Sequence, residues 1–412
     1  MDATSPIYRA RDLTAFVGQG FLMTLAMQVL SVAIAWQVYD IERTPLALGL
    51  VGLSQFVPMF LLTLPAGEIA DRVDPRKMLA ISQVVQAICV ALFLVCTLLS
   101  PHNALPFYII LAVFGAARGF SEPSRQSLLP FLVHPDSLAK AIGRSSTAFT
   151  LAVIVGPALG GFLYGAGPVP TYSACLCAMA ICAALTWTLG GRRLDHSQIK
   201  AASRWERVKE GIHFVRSRPI VIGAISLDLF AVLLGGAVAL LPIFARDVLH
   251  VGPTGLGLLR SAPAAGAAVV AFLLSHRPIE RNSGTHMFAA VALFGLATVV
   301  FGLSKNFYLS LLALFVVGAS DMISVFIRSA LINFATPDAM RGRVGAVYML
   351  LVGASNELGE FESGVTAAWF GTIPAVVVGG IGTLVVVGMW MRLFPPLRKV
   401  DRLKDAGLAP SS

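Results

Sequence analysis

Residues 46–65 carry no charged side chain, and neither do residues 79–98. Between them, GEIADRVDPRKML (67–79) holds Glu68, Asp71, Arg72, Asp74, Arg76 and Lys77. A helix needs about 20 apolar residues to cross the hydrocarbon of a bilayer. Runs of that kind recur at 13–38, 46–66, 79–99, 105–120, 141–164 and 171–189. After a polar stretch at 190–218 they resume at 219–244, 255–274, 286–303, 307–327, 344–370 and 373–393. With 56% hydrophobic and 13% charged residues, the chain has more apolar surface than a soluble core can hide, so lipid must be its main solvent. Lone spans in lipid must be helical to satisfy their own backbone groups, and the ten-residue alternation of a transmembrane barrel is absent. The expectation is an all-α membrane protein of twelve transmembrane helices in a 6 + 6 arrangement. Its parts are an N-terminal bundle at 1–189, a linker with an amphipathic helix at 190–218, a C-terminal bundle at 219–394 and a tail at 395–412.

The net charge is +9, but its placement matters more than its sum. With links alternating across the membrane, three of the 31 lysines and arginines (Arg43, Arg246, Lys305) fall outside. Six (Arg118, Arg125, Arg144, Arg260, Arg328, Arg392) lie within or at the ends of spans, and the remaining 22 are inside. That bias puts both termini in the cytoplasm. It also turns a basic composition away from nucleic acid and toward the membrane face. The first twelve residues and the long first run predict no cleavable signal peptide. The sequence WERVKEGIHFVRSRP (205–219) spaces Trp205, Val208, Ile212 and Val215 as an amphipathic helix lying on the inner membrane surface.

The two halves share a landmark. RQSLLPFLVHPDSLAKAIG (125–143) matches RSALINFATPDAMRGRVG (328–345), with Arg125 on Arg328, Leu128 on Leu331 and Phe131 on Phe334, and each follows the fourth span of its half. Duplicated six-span halves point to a transporter that rocks about a site at the midplane.

The charged link after span 2 resembles the signature of the major facilitator superfamily, G-x-x-x-D-R-x-G-R-R/K. Gly67, Asp71, Arg72, Arg76 and Lys77 fit, while Asp74 and Pro75 depart from it in the manner of siderophore and drug exporters. The resemblance implies a cytoplasmic gate, closed by contacts of these charges and of Asp71 with a helix N-terminus. In IVGPALGGFLYG (154–165), Gly156, Pro157, Gly160 and Gly161 resemble the antiporter motif of the same superfamily, which implies export by exchange. Proline bends the helix, and the glycines open a face for close packing on the other half.

Ionisable groups within spans are costly and usually functional. Arg118 and Glu122, four apart, are expected to pair. Asp321 takes the place of Arg118 in the repeat, suggesting opposite charges facing each other across a cavity. Asp228 lies in span 7, and span 11 carries Glu357, Glu360 and Glu362. Glu357, Asp321, Glu122, Asp228 and Glu360 are the candidates to hold a coupling proton, with Arg118 as their cationic partner. Gln28, Met27 and Met23 are candidate cavity residues in span 1.

No G-x-x-x-x-G-K-[ST] or H-E-x-x-H is present, so neither ATP binding nor hydrolysis has support. The five cysteines lie in apolar runs as packing thiols, and no metal or cofactor is expected, with a proton gradient as the energy source. The reading is a monomeric, proton-coupled antiporter of the bacterial cytoplasmic membrane exporting small amphipathic molecules, drugs or siderophore-like metabolites. An importer, a lipid mover and, remotely, a membrane enzyme are the alternatives.

Overall fold

The protein is described by a computed structural model covering residues 10–70, 73–100, 102–189 and 204–403. Asp71 and Arg72 of the gate motif, linker residues 190–203 and the last nine residues of the tail lie outside the described residues. Among the described residues there are helices and no strands. The six helices before the linker are α1 (Ala10–Glu42), α2 (Pro45–Ala70), α3 (Pro75–Leu99), α4 (Leu105–Leu132), α5 (Leu138–Gly165) and α6 (Pro168–Thr188). A linker helix α7 (Arg204–Ser217) leads into α8 (Pro219–Leu234) and the short α9 (Leu241–Ile243), which a π turn at Phe244–Val248 extends. Then come α10 (Gly252–His276), α11 (Ser283–Leu303), α12 (Phe307–Ala335), α13 (Asp338–Phe370), α14 (Thr372–Leu393) and the short α15 (Pro395–Arg398).

Eleven of these segments are long and apolar enough to cross a membrane. The expected twelfth span falls in α13, which has 33 residues, ample length for a crossing. Its glutamates and other polar residues keep it below the hydropathy of the rest. Side chains such as Leu99 (74% exposed), Phe162 (68%) and Phe272 (67%) stand on outer faces, where only lipid makes a suitable solvent.

Local sequence explains how helices begin. Prolines at the first helical position start α2, α3, α6 and α8, where a missing N–H costs nothing. Asp74 and Pro75, the two departures from the superfamily signature, form such a start. Asp74 is the N-cap of α3, its carboxylate accepting from the Arg76 N–H at 2.9 Å, and Pro75 follows at N1. Asn306 caps α12 by accepting from the N–H groups of Tyr308 and Leu309.

The chain divides into two compact units. One comprises 1–43, 54–201 and the opening turn of α10 (252–257); the other comprises 44–53, 202–251 and 258–412. Within each, glycines set the helix crossings, and the repeat reappears in them. A Cβ on Gly115 of α4 would strike the Gln55 carbonyl of α2, and one on Gly318 of α12 would strike the Pro263 carbonyl of α10. Gly115 and Gly318 are related by the same offset as Arg125 and Arg328. Gly161 of α5 and Gly364 of α13 share that offset too. Gly161 packs on Gly257 of α10 in the first unit, and Gly364 packs on Gly49 of α2 in the second.

The linker helix is docked against the second unit. Gly211 lets α7 approach the Arg343 carbonyl and Val347 of α13, Glu210 pairs with Arg343 at 2.6 Å, and Val215 is buried among Val221, Ile332 and Val344. Ile212, placed by its spacing on the same apolar face, is exposed. The tail folds back on α11, where the N–H groups of Asn282 and Ser283 donate to Asp401 and that of Gly284 donates to the Val400 carbonyl.

If these crossings are set by glycine, Gly115→Ala and Gly318→Ala will each destabilise the protein by about 1–3 kcal/mol through overpacking. Gly353→Ala on α13, where a Cβ meets nothing within 4 Å, will stabilise it by about 0.5–1 kcal/mol through lost unfolded-state freedom. Melting in detergent, followed by fluorescence, separates the two signs.

Candidate functional site

The second unit buries an ion cluster. Asp228 on α8 is 4% exposed and Arg328 on α12 is 2% exposed, and the two form an ion pair. Arg328 also donates through Nε to the Tyr348 hydroxyl of α13 at 2.9 Å and more weakly to Ser324 one turn earlier, and its guanidinium lies over the Tyr348 ring. Helix spacing puts Ser324 and Arg328 on one face of α12, and Asp321 continues that face. Asp321 is half-buried and makes no hydrogen bond or ion pair among the described residues, yet the charges of Asp228 and Arg328 both act on it. Asp228, Asp321 and Ser324 form the polar side of a cleft whose apolar side is Val232, Val291 and Phe294, with room for about one water molecule. One carboxylate is thus paired with the guanidinium and a second lines the cleft beside it. Such a cluster is one charge out of balance unless it takes up a proton or a cation.

A second acidic pair lies in the same unit. The carboxylate oxygens of Glu360 and Glu357 on α13 converge beside Gly52 of α2, 3.2 and 3.7 Å from where its Cβ would be. The field of Arg260 on α10 acts on Glu360. Glu362, on another face, accepts from Thr366 at 2.6 Å.

In the first unit the expected Arg118–Glu122 pair does not form. Arg118 is half-buried and donates to Gln55 Oε1 of α2 at 2.6 Å, because Gly115 brings α2 within reach of that face. Glu122 is exposed and has no polar partner among the described residues. The electrostatic neighbours of Asp321 are Asp228 and Arg328 of its own unit. Arg125 lies over the Phe16 ring of α1, with its guanidinium against Gly20.

Of the gate motif, Gly67 is buried and Lys77 exposed. Arg76 donates to the Leu189 carbonyl at the end of α6, so this basic residue caps a helix of its own unit. Of the antiporter-type motif, Gly156 and Gly160 pack on Gln28 and Val29 of α1, while Gly161 and the Pro157 carbonyl lie against Gly257 of α10. Gln28 therefore sits at the α1–α5 crossing, half-buried, as are Met23 and Met27. Other amides make a buried seam between α1, α3 and α6. Tyr172 donates to Gln37, Thr186 donates to Gln83, and Gln19 is buried with neither amide atom bonded. Sequence reading did not single out Arg328, Tyr348, Ser324, Gln55 or Arg260 as site residues. Arg328 was visible as the landmark of the repeat, and a charge at a duplicated position deep in a span was the signal.

The chain belongs to the transmembrane secretion effector family of the major facilitator superfamily, which its sequence matches over residues 20–410. It is a membrane transporter of that fold and not an enzyme. An enterobactin exporter, EntS, of Citrobacter koseri is 23% identical over 396 residues, 96% of this chain and 94% of that protein. A staphyloferrin A transporter of Staphylococcus aureus is 28% identical over 171 residues, 40% of this chain and 42% of that one. Among solved structures, a point mutant of the nucleoside transporter NupG superposes with a TM-score of 0.76 at 12% identity, covering 93% of this chain and all of the other. A bacterial homologue of the lysosomal transporter Spinster, inward-facing and occupied, superposes with a TM-score of 0.75 at 14% identity, covering 96% and 99%.

Removing one partner of a buried pair strands the other. Asp228→Leu and Arg328→Met will each lower stability by about 3–5 kcal/mol, while the double variant will recover most of that loss. Thermal melting in detergent reads the cycle, and additive losses would show that the pair is not coupled.

Proposed function

We propose that this protein is a proton-coupled exporter of small amphipathic, siderophore-like molecules in the bacterial cytoplasmic membrane. The observation that carries the reading is the cluster in which Asp228 is paired with Arg328 while Asp321 lines the same cleft unpaired among the described residues. One proton on Asp321 balances the cluster. Losing it leaves an uncompensated carboxylate at low dielectric, and whichever state of the protein wets or pairs that carboxylate becomes the more stable one. A proton moving down its gradient therefore shifts the balance between two conformations, which is the requirement for driving a second solute the other way. Glu357 and Glu360 beside Gly52 offer a second place for the same chemistry.

The direction and the substrate class come from the relatives. The matched proteins carry enterobactin and staphyloferrin A by name, and the Citrobacter protein is an exporter. In this reading the two six-helix halves, 1–189 and 219–394, rock about the 190–218 linker with both termini cytoplasmic. Gly67, Asp71, Arg72, Arg76 and Lys77 serve the cytoplasmic gate. The glycines from Gly156 to Gly161 serve as the sliding face, and Gln28, Met27 and Met23 line the substrate path. The chain acts as a monomer without cofactor.

Proteoliposomes loaded with enterobactin or staphyloferrin A test this. An acidic exterior will accelerate release through the wild-type protein, and nigericin will abolish the acceleration. Asp321→Asn will release substrate downhill at a rate indifferent to the pH gradient. Release that follows a sodium gradient and ignores pH would contradict proton coupling, and accumulation under the same gradient would contradict export.

A further inference from the structure

The two units carry opposite excess charge on the same scaffold. Three residues beyond Gly318 stands Asp321, and three residues beyond the equivalent Gly115 stands Arg118. The cluster around Asp321 has two carboxylates and one guanidinium. The matching stripe on α4 has two guanidiniums, Arg118 and Arg125, and one carboxylate, Glu122, which pairs with neither among the described residues. We infer that Arg118, steered by Gln55 at the α2–α4 crossing, is a recognition site for an organic oxyanion such as a carboxylate or phenolate on the transported amphipath. The inference rests on the transport reading and names the substrate chemistry of one part of it.

The geometry favours a ligand over a structural role. A guanidinium has five donor hydrogens in a flat fork, suited to two oxygens of one anion. Arg118 makes a single bond among the described residues, through a terminal nitrogen to a neutral amide oxygen, and its Nε is buried with no partner there. Arg118 has no carboxylate partner among the described residues, whereas Arg328, in the other unit's charge stripe, is paired with Asp228. One free to leave the bilayer would snorkel to the rim, but Arg118 is tied sideways to α2. Gln55 accepts without cancelling charge, so it fixes the direction of the fork and leaves the cation to be neutralised by something else. The site takes one anionic group, because Arg125 lies seven residues on, about 10 Å along the helix, and is occupied against Phe16 and Gly20.

The test uses the purified full chain in an uncharged detergent with three probes of one ring system: 1-naphthoate, its methyl ester and 1-naphthylmethylammonium. Binding is followed by calorimetry. The wild-type protein is expected to bind naphthoate about tenfold more tightly than the ester, with the ammonium weakest. Arg118→Gln is expected to bind all three alike at the affinity of the ester, Arg118→Lys to retain part of the preference, and Gln55→Leu to reduce it. Equal wild-type affinity for naphthoate and ester overturns the inference without any variant. An undiminished preference in Arg118→Gln, or in Arg118→Lys and Gln55→Leu together if the glutamine variant does not fold, overturns it as well. None of these readouts involves a pH gradient, so a failure of proton coupling and a failure of anion recognition remain distinguishable.

Discussion

The ion pair between Asp228 and Arg328 is the constraint around which the second unit is organised. Both groups are almost wholly removed from solvent, and a pair in that position holds only if its geometry is good and its remaining donors are satisfied. Tyr348 and Ser324 supply the satisfaction from α13 and from α12 itself, so three helices converge on one guanidinium. Asp321 then enters a site whose single cation is already committed. The proposed function gives that second acid the task of binding and releasing a proton.

The same scaffold carries a different charge in the other unit. Glycines at equivalent positions, Gly115 with Gly318 and Gly161 with Gly364, allow helix backbones to touch, which is how helices associate where no hydrophobic effect separates them from lipid. Duplication therefore preserved the crossings and released the side chains beside them. In the reading proposed above, an arginine and an aspartate on matching turns give one unit affinity for anions and the other affinity for protons. In an exporter that exchanges the two, each half then has a distinct part in one cycle.

The architecture was legible because lipid imposes a crude rule. Uncharged runs of helical length, a positive-inside charge bias and a repeated RxxL landmark identify a duplicated transporter from its letters, and the runs correspond to the observed helices. The charged link after span 2 was equally readable, and its departures at Asp74 and Pro75 turn out to have a local cause, the N-cap and first residue of α3. What the sequence could not show were long-range partners. Spacing of four residues brings Glu122 near Arg118, but spacing carries no information about Gln55, a helix away, whose carbonyl is close only because residue 115 is glycine. Asp228 and Arg328 are likewise a hundred residues apart. Arg76 reads as a gate residue, yet its guanidinium is bound to the end of α6, a role that depends on how α3 and α6 lie together. The amphipathic pattern of α7 was visible, while its docking on α13 through Gly211 and Glu210 was not.

The central claim is that the Asp228–Arg328–Asp321 cluster holds one exchangeable proton, on Asp321. Infrared difference spectroscopy of the purified protein, taken between acidic and alkaline pH, reports protonated carboxyl groups directly through their C=O stretch. The account predicts a protonated-carboxyl band at acidic pH that disappears on alkalinisation and is missing from Asp321→Asn, with the wild-type band retained in Glu362→Gln. An identical band in Asp321→Asn, or a wild-type spectrum with no protonated-carboxyl band even at acidic pH, would contradict it.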